Sequence, residues 1–417
     1  MSEGDNGGVS TSRADLTERV AALPGMGELL PALHDLRPTY LVGGGVRDLL
    51  RGEPSLDLDL AVEGDAVAVA RALAERLGGS LVVHERFGTA TVELADRTLD
   101  LAFTRRERYP RPGALPEVEP AGLPDDLGRR DFTVNAMAIA LTAPDVGVLH
   151  DPLHGREDLE AGTVRVLHPR SFLDDPTRLL RAARYEARLG FALDADTERL
   201  AREAAEAGAL ATVSGPRIRD ELMDLLAEAE APAAVARMRE LGLANALDPA
   251  LDADPDRVAG AALGSADTGA DPALAALAAL CCTAPGELEG FVKRLSLGGG
   301  RAEAVLRAAR RGPELAAALA GPQRPSELHA LLAGEPPEAL ALALGLGAPG
   351  EPVLRYLSDL QGASLQITGD DLLSAGVPRS PAIGRALKET LRRKLDGELS
   401  GRDAELRTAI ELAGADT

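Results

Sequence analysis

The spacing of apolar positions divides the chain into two stretches of different character. Between about residues 38 and 150, short apolar runs alternate with turn residues. Tyr40-Leu41-Val42 reads as a strand running into Gly43-Gly44-Gly45, and Val46 to Arg51 follows as the start of a helix. Leu56 to Val62 opens Leu-Asp-Leu-Asp-Leu, the period-two pattern of a half-buried strand. Val67 to Leu77 has helical spacing and stops at Gly78-Gly79. Leu81 to Val83, Thr89 to Leu94 and Thr98 to Phe103 read as further strands. Arg108 to Pro124 is rich in Pro and Gly and reads as a loop, and Arg130 to Ala140 reads as a helix.

Beyond residue 155 the strand patterns fade. From Leu173 onward the chain reads as helices separated by Pro, Gly and Asp. Asp248 to Pro272 reads as an acidic surface loop, and Gly321 to Pro325 and Gly334 to Pro337 as further breaks. No repeat of fixed period is present. The expectation is an α/β head followed by an all-helical arm, and 417 residues suit two to four packed units.

Composition adds little to that picture. Hydrophobic residues make up 45% and charged residues 27%, as in ordinary globular chains. Aromatics are only 2%, so Ala and Leu must build the core, which favours helices. The net charge of -21 argues against a nucleic-acid partner unless basic faces are local. The adjacent Cys281 and Cys282 are poorly placed for a disulfide and read as buried apolar residues in a reducing compartment. Residues 1–13 are polar and carry no signal-like apolar stretch, and no run approaches ~18 apolar residues, so a cytoplasmic protein with no membrane partner is expected.

Candidate chemistry begins at Asp57-Leu58-Asp59. Positions i and i+2 of a strand face the same side, roughly 6–7 Å apart, a spacing that suits two Mg²⁺ ions about 3.5–4 Å apart. Two solvated Asp on an exposed strand face read equally well from this motif alone. Upstream stands Gly43-Gly44-Gly45-Val46-Arg47-Asp48. A Gly-rich turn entering a helix lets backbone N–H groups approach phosphate, and it also suits a plain tight turn. The Lys-Ser/Thr of a P-loop is absent. The pairs His34-Asp35 and His150-Asp151 suggest a metal phosphohydrolase, but only His154, His168 and His329 follow the second pair, and that reading is set aside.

Taken together, these features resemble the polymerase β superfamily of nucleotidyltransferases, and more narrowly the class II CCA-adding enzymes and bacterial poly(A) polymerases. Arg129-Arg130-Asp131-Phe132-Thr133-Val134-Asn135-Ala136 is similar to the family's RRDFTxNA motif. His150-Asp151-Pro152 through Asp158-Leu159, Asp174-Asp175-Pro176-Thr177-Arg178 with Arg181, Arg217-Ile218 with Glu221-Leu222, and Ile367-Thr368-Gly369 with Asp371-Leu372 resemble later motifs in the family's order. The likeness is dense over 40–225 and thin over 230–360.

The resemblance implies a polymerase β-like mixed-sheet head and helical neck, body and tail, with boundaries expected at 1–22 (disordered tail), 23–154 (head), 155–227 (neck), 228–330 (body) and 331–417 (tail). It implies template-independent addition of C and A to the 3′ end of tRNA from CTP and ATP, with two Mg²⁺ ions and no DNA partner. Asp57 and Asp59 are then the catalytic metal ligands, with Asp100 a weaker third. Gly43, Gly44 and Arg47 hold the triphosphate, and Arg130 and Asp131 contact the ribose and phosphates. Asp175 and Arg178 read the base edge, supported by Arg181. Asp174 stands where the family usually has Glu, one methylene longer, and Asp175 before Pro176 also reads as a plain helix N-cap.

That pair makes physical sense. C and A both present an exocyclic amino donor beside a ring-nitrogen acceptor, which a carboxylate and an Arg complement, whereas U and G leave buried polar groups unmatched. For tRNA itself, Arg178, Arg181, Arg184 and Arg188 fall within about 120° of helical arc as one basic ridge. Arg379, Arg385, Lys388, Arg392, Arg393 and Lys394 form a second cluster. Both read as backbone contacts or as solvated faces. A-only addition, CC-only addition, poly(A) synthesis, an inactive RNA-binding protein and a small-molecule nucleotidyltransferase are the rivals. The long segment from Thr104 to Arg129 disfavours CC-only addition, because the family lacks a flexible loop there when only CC is added. Monomer and homodimer are both open.

Overall fold

The computed structural model describes residues 12–53, 58–84 and 88–415. Asp57 lies outside them. The chain forms two compact units, one running through Ser214 and including Leu241–Ala246, the other made of Gly215–Glu240 and Leu247 onward.

The first unit opens with α1 (Arg13–Ala22) and α2 (Met26–Leu33). Residues 13–22 therefore correct the expectation of a disordered tail. Ser12 caps α1 by accepting from Asp15 N, and Leu16 and Val20 are buried one turn apart. Next come β1 (Thr39–Val42), α3 (Gly44–Arg51), β2 (Leu58–Val62), α4 (Ala66–Leu77), β3 (Ser80–His84), β4 (Thr89–Glu93) and β5 (Thr98–Phe103). They lead to β6 (Arg105–Arg108), β7 (Glu117–Pro120), α5 (Leu123–Gly128), β8 (Ala138–Ala140) and β9 (Leu149–His150). Seven strands form one mixed sheet in the order β3-β4-β5-β2-β1-β8-β9. Only β2 and β5 run parallel; the other neighbours are antiparallel.

Leu alternation fixes which face of this sheet is buried. Leu58 and Leu60 on β2 and Leu99 and Leu101 on β5 are buried, and each contributes roughly 1.5–3 kcal/mol. Val69, Ala70, Leu73 and Ala74 of α4 supply a buried stripe. The strand period then puts Asp59 and Asp100 on the opposite, exposed face.

Two expectations in this unit are corrected. Arg130 to Ala140 is not a helix but a 3₁₀ turn at Thr133–Asn135 followed by β8. Residues 131–140 are all buried and 136–140 are apolar at every position, so the period there cannot separate helix from buried strand, and pairing of Tyr40 with Ala140 decides for strand. Within the expected loop 108–124, β7 pairs antiparallel with β6, Arg106 opposite Glu119 and Arg108 opposite Glu117. The unit continues with α6 (Gly155–Glu160), β10 (Thr163–Val164), α7 (Ser171–Asp174), α8 (Arg178–Leu189), β11 (Ala192–Leu193) and α9 (Ala195–Glu206).

The remaining named elements are helical: α10 (Gly215–Ala227), α11 (Ala231–Glu240), α12 (Leu243–Leu247), α13 (Pro255–Thr268), α14 (Pro272–Cys281), α15 (Glu289–Arg294), α16 (Arg301–Leu319), α17 (Pro325–Leu332), α18 (Pro337–Gly345), α19 (Gly350–Arg355), α20 (Gly369–Ser374), α21 (Pro381–Leu395) and α22 (Arg402–Ala415). No described helix is long and apolar enough to cross a membrane. Asp248 to Pro272, expected as a loop, contains α13. Asp254 caps it, accepting from Asp256 N and Arg257 N, Pro255 opens it and Gly269 ends it at φ +70°. Its glycines exist for packing: a Cβ on Gly264 would sit 2.4 Å from the Ala341 carbonyl oxygen of α18, and one on Gly260 2.6 Å from that of Gly345. Gly264→Ala is therefore expected to push these helices apart and cost about 2 kcal/mol, measured as a lower urea midpoint at unchanged slope.

Candidate active site

The turn between β1 and α3 forms one wall of a cleft. Gly43 has φ +69°, which favours glycine there, and a Cβ would stand 2.9 Å from Arg130 Nη1, a side-chain end that would have to shift. Arg47, on the first turn of α3, is only 3% exposed. Its Nη1 donates to Asn135 Oδ1 at 2.7 Å, its Nε and Nη2 donate to Asp48, and its guanidinium lies 5.5 Å from the Tyr185 ring centre. Arg47 thus braces the glycine turn against the RRDFT segment. Gly44 sits over it, with its would-be Cβ 3.5 Å from Arg47 Nη2.

The floor is the exposed face of β2, β5 and β4. Asp59 and Asp100 are register partners across the parallel pair, one strand spacing apart, about 4.8 Å. The cleft, about 340 Å³, is lined by both, by Thr89 and Thr91, and by Asp126, Arg129 and Arg130. Among the described residues no group of three or more His, Cys, Asp or Glu is gathered closely enough to hold a metal ion. Two in-register carboxylates nevertheless fit Mg²⁺, which takes hard oxygen donors and is commonly held by one or two carboxylates with substrate phosphates completing the shell.

Arg130 supplies the positive wall. Its Nη2 donates to Asp126 Oδ2 at 3.0 Å, while its Nε is buried without a hydrogen-bond partner among the described residues. An unmet buried donor on a cation costs free energy. Asp126 also takes Arg129 Nε at 2.9 Å. Burial pushes the Asp126 carboxyl up, but Arg129 and Arg130 outweigh it and hold it below the usual carboxylate range. Asp126 therefore stays ionised and keeps both arginines aligned.

Asp131 lies behind this wall, 7% exposed. One oxygen accepts from Phe132 N at 2.8 Å and Asn135 Nδ2 at 3.0 Å; the other accepts from Arg181 Nε at 2.9 Å and Nη2 at 2.6 Å.

Known proteins show what this arrangement is similar to. The Poly A polymerase head domain profile matches residues 39–165, and that of the probable RNA- and SrmB-binding site of polymerase A matches 190–254. The CC-adding tRNA nucleotidyltransferase of Deinococcus radiodurans is 38% identical over 372 residues, 89% of this chain and 88% of that protein. The chain belongs to the tRNA nucleotidyltransferase family. The A-adding enzyme of Geobacter sulfurreducens is 36% identical over 90% of this chain, and that of Halalkalibacterium halodurans is 46% identical over 50%. This chain spans 45% and 49% of those two proteins, about half their length. A solved CCA-adding enzyme superposes with a TM-score of 0.83 at 32% identity, covering 97% of this chain and 98% of that one. Complexes titled as CCA-adding enzyme with CTP and with ATP superpose at 0.80 and 0.77, with 31% identity each, covering 96% and 94% of this chain and 98% and 93% of theirs.

Arg178 opens α8 and is 5% exposed; its Nη2 donates to the Arg129 carbonyl at 2.7 Å and its Nη1 to Ser171 Oγ at 3.0 Å. Asp175, in extended backbone, accepts through Oδ1 from Thr177 N at 3.1 Å and Thr177 Oγ1 at 2.8 Å, the contact of an N-cap on the Pro176–Thr177 turn that leads into α8. Asp174 pairs with Arg170 at 3.1 Å. The Arg129 carbonyl thereby ties the start of α8 to the arginine wall of the cleft.

The expected basic ridge is corrected. Arg178 and Arg181 turn inward, Arg184 packs 5.7 Å from the Tyr185 ring centre, and of the four only Arg188 is exposed. Helical arc cannot tell an outward face from one covered by the Asp131 segment. In the tail of this family member, Lys388 is exposed beside a groove of about 630 Å³ that Arg324, Arg385 and Arg392 also line. Arg392 is paired with Glu389 and Asp396, and Arg393 with Glu389.

Motif and periodicity alone do not single out Asp126, Glu107 and Tyr185, and the RRDFTxNA motif contains Asn135 without giving its partner. Asp126 stands four residues before Arg130 on α5, a spacing that marks a helical ion pair once the helix is recognised. Glu107 takes Arg129 Nη1 at 3.1 Å and Arg105 Nη2 at 2.9 Å, a convergence made by the β6–β7 ribbon, which reads as loop in the sequence.

Proposed function

We propose that this chain adds C and A to the 3′ end of tRNA without a template, using CTP and ATP. The observation that carries the reading is the cleft itself: Asp59 and Asp100 side by side in a cleft that Arg129 and Arg130 also line. The full-length likeness to CCA-adding enzymes in complex with CTP and with ATP supports it.

Asp59, with Asp100 and with Asp57 from outside the described residues, would hold two Mg²⁺ ions. Bound there, the ions supply a lowered pKa for the attacking hydroxyl and neutralise charge on the phosphates. Arg130 gives the triphosphate a fixed donor already oriented by Asp126, so no reorganisation is needed as charge builds. The Gly43 turn leaves room for phosphate oxygens against the α3 N-terminus. The 3′ hydroxyl of tRNA attacks the α-phosphorus, the bond to the β-phosphate oxygen breaks, and pyrophosphate leaves. No protein nucleophile takes part. Asp175 and Arg178 read the base edge; Arg178 is locked in place by Ser171 and the Arg129 carbonyl, which gives it the rigidity that discrimination requires. Exposed Lys388 and Arg188 are the first choices for contacts to the tRNA backbone.

A second reading, addition of A alone, is favoured by the 46% identity to an A-adding enzyme over half of this chain. The two separate in one assay. Transcripts ending before CCA, after C and after CC are incubated with CTP, ATP or both, and products are resolved on a gel. Growth of all three to CCA, with no further extension, is expected. Extension of the CC transcript alone by one A supports the second reading. Arrest at CC contradicts both, and no extension removes the catalytic reading.

A further inference from the structure

We infer that Thr91 is a positioning residue for the metal site: its hydroxyl sets the orientation of the Asp100 carboxylate. The inference rests on the reading of Asp59 and Asp100 as ligands. Thr91 on β4 is the antiparallel register partner of Asp100, and Asp100 is the parallel partner of Asp59. The three side chains form one row across β4, β5 and β2, all lining the cleft. Thr91 Oγ1 donates to Asp100 Oδ1 at 2.6 Å, a short, charge-assisted bond.

A hydroxyl has one proton to donate, and here it goes to the carboxylate. A β-branched side chain on a strand has restricted χ1, so the donor is itself held. Asp100 is exposed, and without the bond its carboxylate samples several rotamers about an otherwise open strand position. Holding one oxygen defines where the other stands relative to Asp59. Partners that orient a ligand in this way typically change metal affinity by about 10–100-fold.

Threonine also suits a strand for packing alone, so the test must separate hydroxyl from shape. Thr91→Val keeps the branch and removes the donor; Thr91→Ser keeps the donor. Mn²⁺ binding is titrated by electron paramagnetic resonance with CTP present and tRNA absent. In parallel, the Mg²⁺ concentration for half-maximal CTP incorporation, KM for tRNA and the melting temperature are measured. Thr91→Val is expected to weaken Mn²⁺ binding and raise the Mg²⁺ requirement about 10-fold or more, with KM for tRNA unchanged. Thr91→Ser should stay within about 3-fold of wild type, well inside that range. If Thr91→Val melts early, Thr91→Ala is read in its place. Equal metal behaviour of Thr91→Val and wild type, or equal loss in Thr91→Val and Thr91→Ser, overturns the inference. Asp59→Ala is the control: if it retains full Mn²⁺ binding and activity, the reading of the cleft has failed instead.

Discussion

Asp59→Ala is expected to lower single-turnover CTP incorporation on the order of 10²–10³-fold while leaving the melting temperature and KM for tRNA nearly unchanged. Asp59 sits on the exposed face of β2, between buried Leu58 and Leu60, so removing its carboxylate opens no cavity. Surface changes of this kind shift stability by about 0.5 kcal/mol or less. Relief of repulsion from Asp100, its register partner, acts in the stabilising direction. The chemical step has no such tolerance. Loss of a carboxylate that would hold the metal ion against the reacting phosphate is equivalent to about 3–4 kcal/mol of transition-state stabilisation. Asp59→Asn, which preserves shape, should fall nearly as far, because the negative charge binds the metal. Rapid-quench incorporation on a tRNA transcript measures this, and activity within about 3-fold of wild type for both variants would remove Asp59 from the chemistry.

Asp131→Asn should fail for a different reason. Here the expected effect is on stability, about 3 kcal/mol, because the substitution leaves the Arg181 guanidinium facing an uncharged group inside the fold. Arg181 is 29% exposed, which places the loss at the lower end of the range for a buried pair. The other Asp131 oxygen takes Phe132 N and Asn135 Nδ2, and Asn135 in turn takes Arg47; an Asn carbonyl keeps these only as weaker neutral bonds, so the brace of the glycine turn is loosened. Activity then falls through misplacement of Arg130 and Gly43.

Acid gives the signature of this pair. Burial pushes the Asp131 carboxyl up, but Arg181 and the hydrogen bonds from Asn135 and Phe132 hold it below its ordinary value of about 3.9. A depressed folded-state pKa adds stability that is complete above the unfolded value and is lost as pH falls through the folded one. The gap between wild type and Asp131→Asn should therefore be constant from about pH 5 to 7 and narrow below about pH 4. Urea melts across that range measure it. A gap that stays constant down to about pH 3 would show that the charge pair is not its source.

Much of the head is legible in the residue pattern alone. Leu-Asp-Leu-Asp-Leu marks a strand with acidic residues on one face because a strand's period is two and needs no partner to be recognised. Gly43 is legible as a turn glycine, and the order of motifs as a family likeness. Helix α13 is written in the chain too, in Asp254-Pro255 and Gly269, but the abundance of Gly and Asp hides those signals. Its glycines are there because α18 lies against them, and no local rule reports a neighbour.

Other features belong to the tertiary structure alone. Asp100 stands 41 residues from Asp59, and only the parallel pairing of β5 with β2 makes the two carboxylates adjacent. Residues 136–140 are apolar at every position, so pairing with β1, not periodicity, makes Ala138–Ala140 a strand. The arginines of α8 form a solvent-facing ridge by helical arc, yet Arg178 and Arg181 face Ser171, the Arg129 carbonyl and Asp131. The sequence by itself determined the elements whose pattern is local: the alternating strands, the capped helices and the turn glycine. The fold decided which elements became neighbours, and so which charges are paired inside and which face the cleft. The reason is physical: periodicity is a property of one segment, whereas the burial and pairing of a charge depend on what packs against it.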